Sequence, residues 1–285
     1  MHDEGLIKDL DAILALPSNR RQSLRWLLLG AASLPILGCG GSSDGSSSTS
    51  NSNSGSTSSG TSGTVSSGTG SSSCSVIPEE TAGPYPGDGT NSNSNGVVNV
   101  LTLSGIVRKD IRASFNGASA VADGIPLTIN LKINNASQSC ASAAGYTVYL
   151  WHCDKDGNYS LYSTGLTTQN YLRGVQVANA SGELSFTTIY PGCYAGRVPH
   201  VHFEIFPSLE RSTSVSNRVK TSQLTFPTAT SQEVYSDSRY SASVRNLAQI
   251  SFATDNVFSD GTSLQMATVS GNLRDGYVAS LTINV

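Results

Sequence analysis

The chain has 285 residues, of which 13% are charged, and a formal net charge of −3. So even a balance excludes the basic field that nucleic acid or an acidic lipid surface requires of a partner. Tyrosine (11) outnumbers phenylalanine (7), and Gly, Ser, Thr and Asn abound where runs of Ala, Leu, Glu and Lys would mark helices, so the composition points to an all-β protein.

Asn19-Arg20-Arg21-Gln22-Ser23-Leu24-Arg25 precedes an apolar run, Trp26 to Leu37, that is short for a permanent membrane span and reads as an export signal. The run ends in Ile36-Leu37-Gly38-Cys39, which resembles a bacterial lipobox. Cys39 would then carry a lipid and tether the protein to a membrane of the cell envelope. The polar leader and paired arginines resemble a twin-arginine signal, although Ser23 stands where an apolar aromatic is usual. An ordinary secretory signal over residues 1–39 with an incidental cysteine is the alternative. Residues 40–73 are almost entirely Ser, Gly, Thr and Asn. They cannot bury enough apolar surface to offset their ordering entropy, so a flexible tether with a reach of about 30 to 35 Å is expected. Residues 74–285 then form one domain of ordinary size.

Within that domain, residues 127–133 (LTINLKI) alternate apolar and polar, the period-two pattern of a half-buried strand. Tyr146 to Cys153 is β-branched and aromatic, and Asp154-Lys155-Asp156-Gly157 closes it as a turn. "ELSFTTIY" follows Gly182, Pro191-Gly192 ends it, and "HVHFEIF" comes next. Met266 to Val269 and Tyr277 to Val285 flank Asp275-Gly276, a dipeptide suited to a tight hairpin. No segment carries a long amphipathic helical period. Short strands joined by Gly-, Asn- and Pro-rich turns predict a β-sandwich.

On a strand over 200–206, Val201, Phe203 and Ile205 share one face and His200, His202 and Glu204 the other. Two imidazoles on one side can chelate a metal ion, or can simply be polar residues on a solvated face. Tyr194, in the turn entering that strand, and Tyr159, in the loop after Trp151-His152-Cys153, add two phenols. A phenol ionises near pH 10 in water, so two phenolates at neutral pH need a strongly Lewis-acidic ion. Two phenolates and two imidazoles suit Fe(III) better than zinc.

"ETAGPYP" (80–86), "WHCDKDGNYS" (151–160), "NYLRGVQV" (170–177), "FTTIYPGCYAGRVPHVHFEIF" (186–206) and "TSQLTFP" (221–227) resemble the intradiol ring-cleavage dioxygenases, the group of catechol 1,2- and protocatechuate 3,4-dioxygenases. The resemblance implies a non-haem Fe(III) held by Tyr159, Tyr194, His200 and His202, with Arg197 and Gln223 as active-site residues. It also implies cleavage of a catechol by O2 between its hydroxylated carbons to a muconate-type diacid, Tyr194 being the ligand that yields to substrate and takes up its proton. His152, Arg173, Asp255 and Asp260 read as structural, Tyr85 as lining the pocket mouth or sitting in a surface turn, and "VRKDIR" (107–112) has no assigned role. Cys74, Cys140, Cys153 and Cys193 allow up to two disulfides in three pairings, one of which, Cys153 to Cys193, would brace the site. The chain lacks the helical dimerisation segment of the catabolic enzymes, so their dimer is not implied. The readings competing with an anchored ferric dioxygenase are a catalytically silent β-sandwich that binds an aromatic or envelope ligand, and a zinc hydrolase built on His-x-His.

Overall fold

The computed structural model describes residues 74–285. The expected export signal with Cys39 and the expected tether over 40–73 lie outside them. Among the described residues no helix is long and apolar enough to cross a membrane.

Eleven strands are described: β1 (Asp88–Asn93), β2 (Gly96–Asn99), β3 (Pro126–Asn135), β4 (Ala141–Ser142), β5 (Thr147–Trp151), β6 (Arg173–Val177), β7 (Glu183–Ile189), β8 (His200–Phe206), β9 (Lys220–Thr225), β10 (Thr268–Asn272) and β11 (Gly276–Asn284). One sheet runs β10-β11-β3-β4, with β7 pairing β3 along the edge that β4 extends, the second runs β6-β5-β8-β9, and β1-β2 is a separate hairpin. Leu127, Ile129, Leu131 and Ile133 of β3 and Phe186 of β7 meet Val148 and Leu150 of β5 and Val201, Phe203 and Ile205 of β8 in one buried cluster. The alternating residues of two sheets thus interdigitate as a sandwich core.

Two features depart from the sequence reading. Two seven-residue helices, α1 (Thr228–Val234) and α2 (Ser241–Leu247), follow β9. They are too short to display a helical period, and packing stabilises them: Val234 of α1 joins the main core. The last hairpin turns through Leu273-Arg274-Asp275, because Asn272 already pairs with Gly276. Gly276 has φ +86°, so the Asp-Gly signal marks the left-handed residue after a three-residue loop and not a two-residue turn.

The four-stranded sheet is covered on its outer face as well. Tyr149 and Trp151 of β5, Val175 of β6 and Phe206 of β8 pack under Val98, Val100, Leu101, Ile106, Tyr159 and Leu161. The face of β8 that carries His200, His202 and Glu204 is therefore buried, and all seven residues of that strand are inside. A solvated His-x-His pair is ruled out by this cover.

Candidate active site

Register assembles the floor of the site. Antiparallel pairing sets His202 opposite Trp151 on one side and Gln223 on the other, and side chains directly across a ladder share a face. The Trp151 and His202 rings stack at 5.0 Å and 8°. Two loops complete the site: Tyr159 comes from the segment after β5, Tyr194 from the turn before β8. These loops touch because Gly192 and Gly157 have no side chain. A Cβ on Gly192 would fall 2.6 Å from the Lys155 carbonyl oxygen, and one on Gly157, at φ +86°, 2.9 Å from Tyr194 Cβ.

The donor atoms converge. His200 Nε2 lies 3.1 Å from Tyr194 Oη, 3.2 Å from His202 Nε2 and 3.4 Å from Arg197 Nη1. His200 Nδ1 is 2.6 Å from the Val198 carbonyl, which can only accept, so Nδ1 carries the proton and Nε2 presents its lone pair to the site. Burial drives both imidazoles well below the usual histidine range, with Arg197 adding to the effect, so both are neutral. Tyr159 Oη is buried and makes no hydrogen bond, and its ring stands edge-on to Tyr194 at 6.0 Å. Burial, with Tyr194 close by, pushes the Tyr159 phenol well above the usual tyrosine value. Only a bound cation would make ionisation of that phenol favourable.

This geometry fits a metal. Several donors crowd one imidazole lone pair while a buried phenol nearby has nothing to bind, which is a costly arrangement unless a cation sits among them. Among the described residues no group of three or more His, Cys, Asp and Glu could hold a metal ion, so a four-donor set here requires the two tyrosines. Two imidazoles with two phenols are hard enough for a trivalent ion.

Arg197 is buried beside these donors. Its Nε faces both oxygens of Asp255 at 3.0 and 3.2 Å, and its Nη2 donates to Gln223 Oε1 at 2.7 Å. Gln223 Nε2 donates in turn to the Thr81 carbonyl at 2.9 Å. The segment carrying Thr81 crosses the site: a Cβ at Gly83 would lie 3.3 Å from His202 Cε1, and the Tyr85 ring is 5.1 Å from that of Tyr159. Tyr85 thus packs between Tyr159 and Tyr162 beside the donor set.

His152 and Arg173, read as structural, are so. His152 is buried with Nε2 2.7 Å from Thr188 Oγ1 and Nδ1 2.7 Å from the Cys153 carbonyl. Arg173 spends all its N–H groups on Tyr85, Pro86, Tyr149 and Ser160. Arg108, in the stretch without an assigned role, ties β6 to its neighbours through the Arg173 carbonyl. Asp260 is exposed. The cysteine expectation needs correction: Cys74 pairs with Cys140, whereas Cys153 and Cys193 remain buried thiols, each engaged with a nearby backbone carbonyl. The loops at the site are joined by glycine contacts and hydrogen bonds, not by a disulfide. Asp255 fixes a loop, as expected, by accepting from Arg197 and Val198, a partnership across 58 residues that carries no local sequence signal.

Comparisons with known proteins bear on the family. The family model Dioxygenase_C, described as dioxygenase, matches residues 122–273, which is 152 of the 285 residues. An intradiol ring-cleavage dioxygenase from Tetranychus urticae is similar at 25% identity and a TM-score of 0.56, over 74% of this chain and 94% of its own. A second solved dioxygenase, Tetur07g02040, is 24% identical with a TM-score of 0.56 over the same shares. A comparison with curated proteins gives no match. The sandwich, the loops that bring two tyrosines over a His-x-His strand, and a family match across that whole region lead to one assignment: the chain belongs to the intradiol ring-cleavage dioxygenases.

Proposed function

We propose that Tyr159, Tyr194, His200 and His202 hold a non-haem Fe(III), and that the protein uses O2 to cleave a catechol between its two hydroxylated carbons. The ring C–C bond breaks, and both oxygen atoms enter the two carboxyl groups of a muconate-type diacid. The observation that carries this reading is the convergence of Tyr194 Oη and His202 Nε2 on His200 Nε2, beside the unbonded phenol of Tyr159. When bound, the ion would supply the Lewis acidity that holds the catechol as a dianion and makes its ring electron-rich towards O2.

The chain's own residues have separate tasks. Tyr159 is buried and Tyr194 half-buried, so Tyr194 is assigned the role of swinging aside and accepting a substrate proton at Oη. His200, locked by Val198, and His202, stacked on Trp151, are fixed neutral donors. Arg197 offers a fixed cation against negative charge that grows on the ring, and Gln223 holds its Nη2 in place. Trp151, Tyr85 and the covering segment keep water from the reacting carbons.

The proposal includes export and a lipid on Cys39, which the lipobox-like Ile36-Leu37-Gly38-Cys39 supports. Fatty-acid labelling that persists in a Cys39→Ala variant would defeat that part. For the chemistry, the visible spectrum and metal content of the protein are measured before and after catechol is added. A charge-transfer band that shifts with catechol and disappears in the Tyr159→Phe, His200→Ala double variant supports the reading. A colourless protein that takes up no ferric ion on reconstitution refutes it and returns the protein to the class of binding domains.

A further inference from the structure

We propose that Asp255 is the positioning residue of this site: a single carboxylate that orients the Arg197 guanidinium and, through the Val198 peptide, the His200 ring. The inference rests on the preceding reading for what Arg197 and His200 do.

Asp255 is fully buried in the segment between α2 and β10. Its Oδ2 accepts from Arg197 Nε at 3.0 Å and from the Val198 amide at 2.8 Å, while Oδ1 accepts from Arg197 Nε at 3.2 Å and from the amides of Val257 at 2.9 Å and Phe258 at 3.2 Å. Two consecutive residues, Arg197 and Val198, are therefore fastened to one anion. The consequences diverge along two arms. With Nε held, the guanidinium plane is set, and its Nη atoms reach His200 Nε2 at 3.4 Å and Gln223 Oε1 at 2.7 Å. The Phe258 ring lies 5.8 Å from the same guanidinium, limiting its movement on the far side. Along the second arm the Val198 amide is pinned, and its carbonyl takes the Nδ1 proton of His200. Such an outer partner decides which imidazole nitrogen faces inward.

An ion pair that served only to hold the loop would need neither the shared Val198 amide nor an arginine whose other nitrogens face the donor set. Asparagine is the informative substitution. Whichever way its amide is turned, the NH2 group meets at least two N–H donors where the carboxylate accepted them.

Asp255→Asn, Asp255→Glu and Arg197→Met are made in the full chain and loaded with ferric ion, and the Arg197 Nε–H resonance is followed by 15N NMR in metal-free protein. The wild type is expected to show a slowly exchanging, shifted Arg197 Nε–H that Asp255→Asn loses. Turnover of catechol per bound iron should fall on the order of 10- to 100-fold in Asp255→Asn, the range that misorientation of a catalytic group produces. KM should change less than kcat, and Asp255→Glu should recover part of the loss. In the Arg197→Met background the asparagine change should cost clearly less than it does in the wild type, because the guanidinium arm is already absent and only the arm through Val198 is left. A merely structural aspartate would lower the melting temperature and iron occupancy while leaving turnover per iron and the arginine resonance intact, and its effect would add in full to Arg197→Met. That pattern overturns the proposal, as does a wild-type protein without a protected Arg197 Nε–H, a result that stands even if Asp255→Asn does not fold. A wild type that binds iron but turns over no catechol defeats the ring-cleavage reading instead, and the NMR comparison then decides the positioning role by itself.

Discussion

Arg173→Met tests how the segment over the site is held. The guanidinium is buried at the start of β6 and has no carboxylate within ion-pair distance among the described residues. Its five N–H groups all donate: Nε to Ser160 Oγ at 3.1 Å, Nη1 to the Pro86 carbonyl at 2.7 Å and Tyr149 Oη at 3.0 Å, Nη2 to the Tyr85 carbonyl at 2.9 Å and the Ser160 carbonyl at 2.9 Å. Methionine fills the aliphatic volume and removes every donor. Pro86 keeps the Tyr149 hydroxyl, at 2.7 Å, and Ser160 Oγ keeps its bond to the Tyr171 carbonyl. The Tyr85 and Ser160 carbonyls lose the guanidinium, at about 1 to 3 kcal/mol for each acceptor deprived of its partner, so a loss of about 2 to 6 kcal/mol is expected. Relief from desolvating an arginine pulls the figure towards the lower end. Urea denaturation of the metal-free protein measures it as a lower midpoint at unchanged slope. Hydrogen exchange should rise over residues 81–87 far more than in β3, because the arginine ties that segment to the sheet. A stability change below about 1 kcal/mol, or exchange that rises equally everywhere, would refute the clamp.

Three further outcomes follow from the structure. Removing the Cys74–Cys140 bridge, which spans 66 residues, should cost about 4 kcal/mol from loop-closure entropy, read as the midpoint shift of a Cys74→Ser, Cys140→Ser variant; an unchanged midpoint means the bridge does not restrict the denatured chain. His152, pushed down from 6.5 to about 4 by burial, binds its proton more weakly in the folded state, so the unfolded state holds more protons between those values. Stability is fully present above pH 6.5 and declines towards pH 4 by about 3 kcal/mol, and a His152→Gln variant should flatten that part of a melting-temperature profile; identical profiles would exclude His152 as the source. Gly157→Ala places a Cβ 2.9 Å from Tyr194 Cβ at φ +86°, and should lower stability by about 1 to 3 kcal/mol and shift the visible band of iron-loaded protein, whereas an unaltered band would show that the loop moves without taking Tyr194 along.

Much of the site was legible because its chemistry is local. The pair His200 and His202 lies on one strand, and Tyr194 and Arg197 lie within six residues of it, so a period of two and one turn suffice to predict their neighbourhood. Gln223 was reached only through the family resemblance, and Tyr159 was picked out as a phenol in a loop, since no spacing rule links residue 159 to residue 200. Glu204 shows the limit: alternation gave its face correctly, yet the face is buried, and desolvation together with nearby Asp88 pushes the Glu204 carboxyl up to about 8. Whether a strand's second face meets water depends on what the rest of the chain lays over it.

The sequence by itself determined the elements whose causes lie within a few residues: the alternating strands, the glycine- and proline-rich turns, the histidine pair and the low-charge, β-rich composition. Only the tertiary structure decided which cysteines pair, that Asp255 anchors Arg197, that Arg173 clamps the covering segment, and that two short helices form beside β9. Those outcomes rest on contacts between segments tens of residues apart, and nothing local encodes them: a carboxylate, a thiol or a guanidinium has the same composition signal whether it ends in solvent or against a partner brought by the fold.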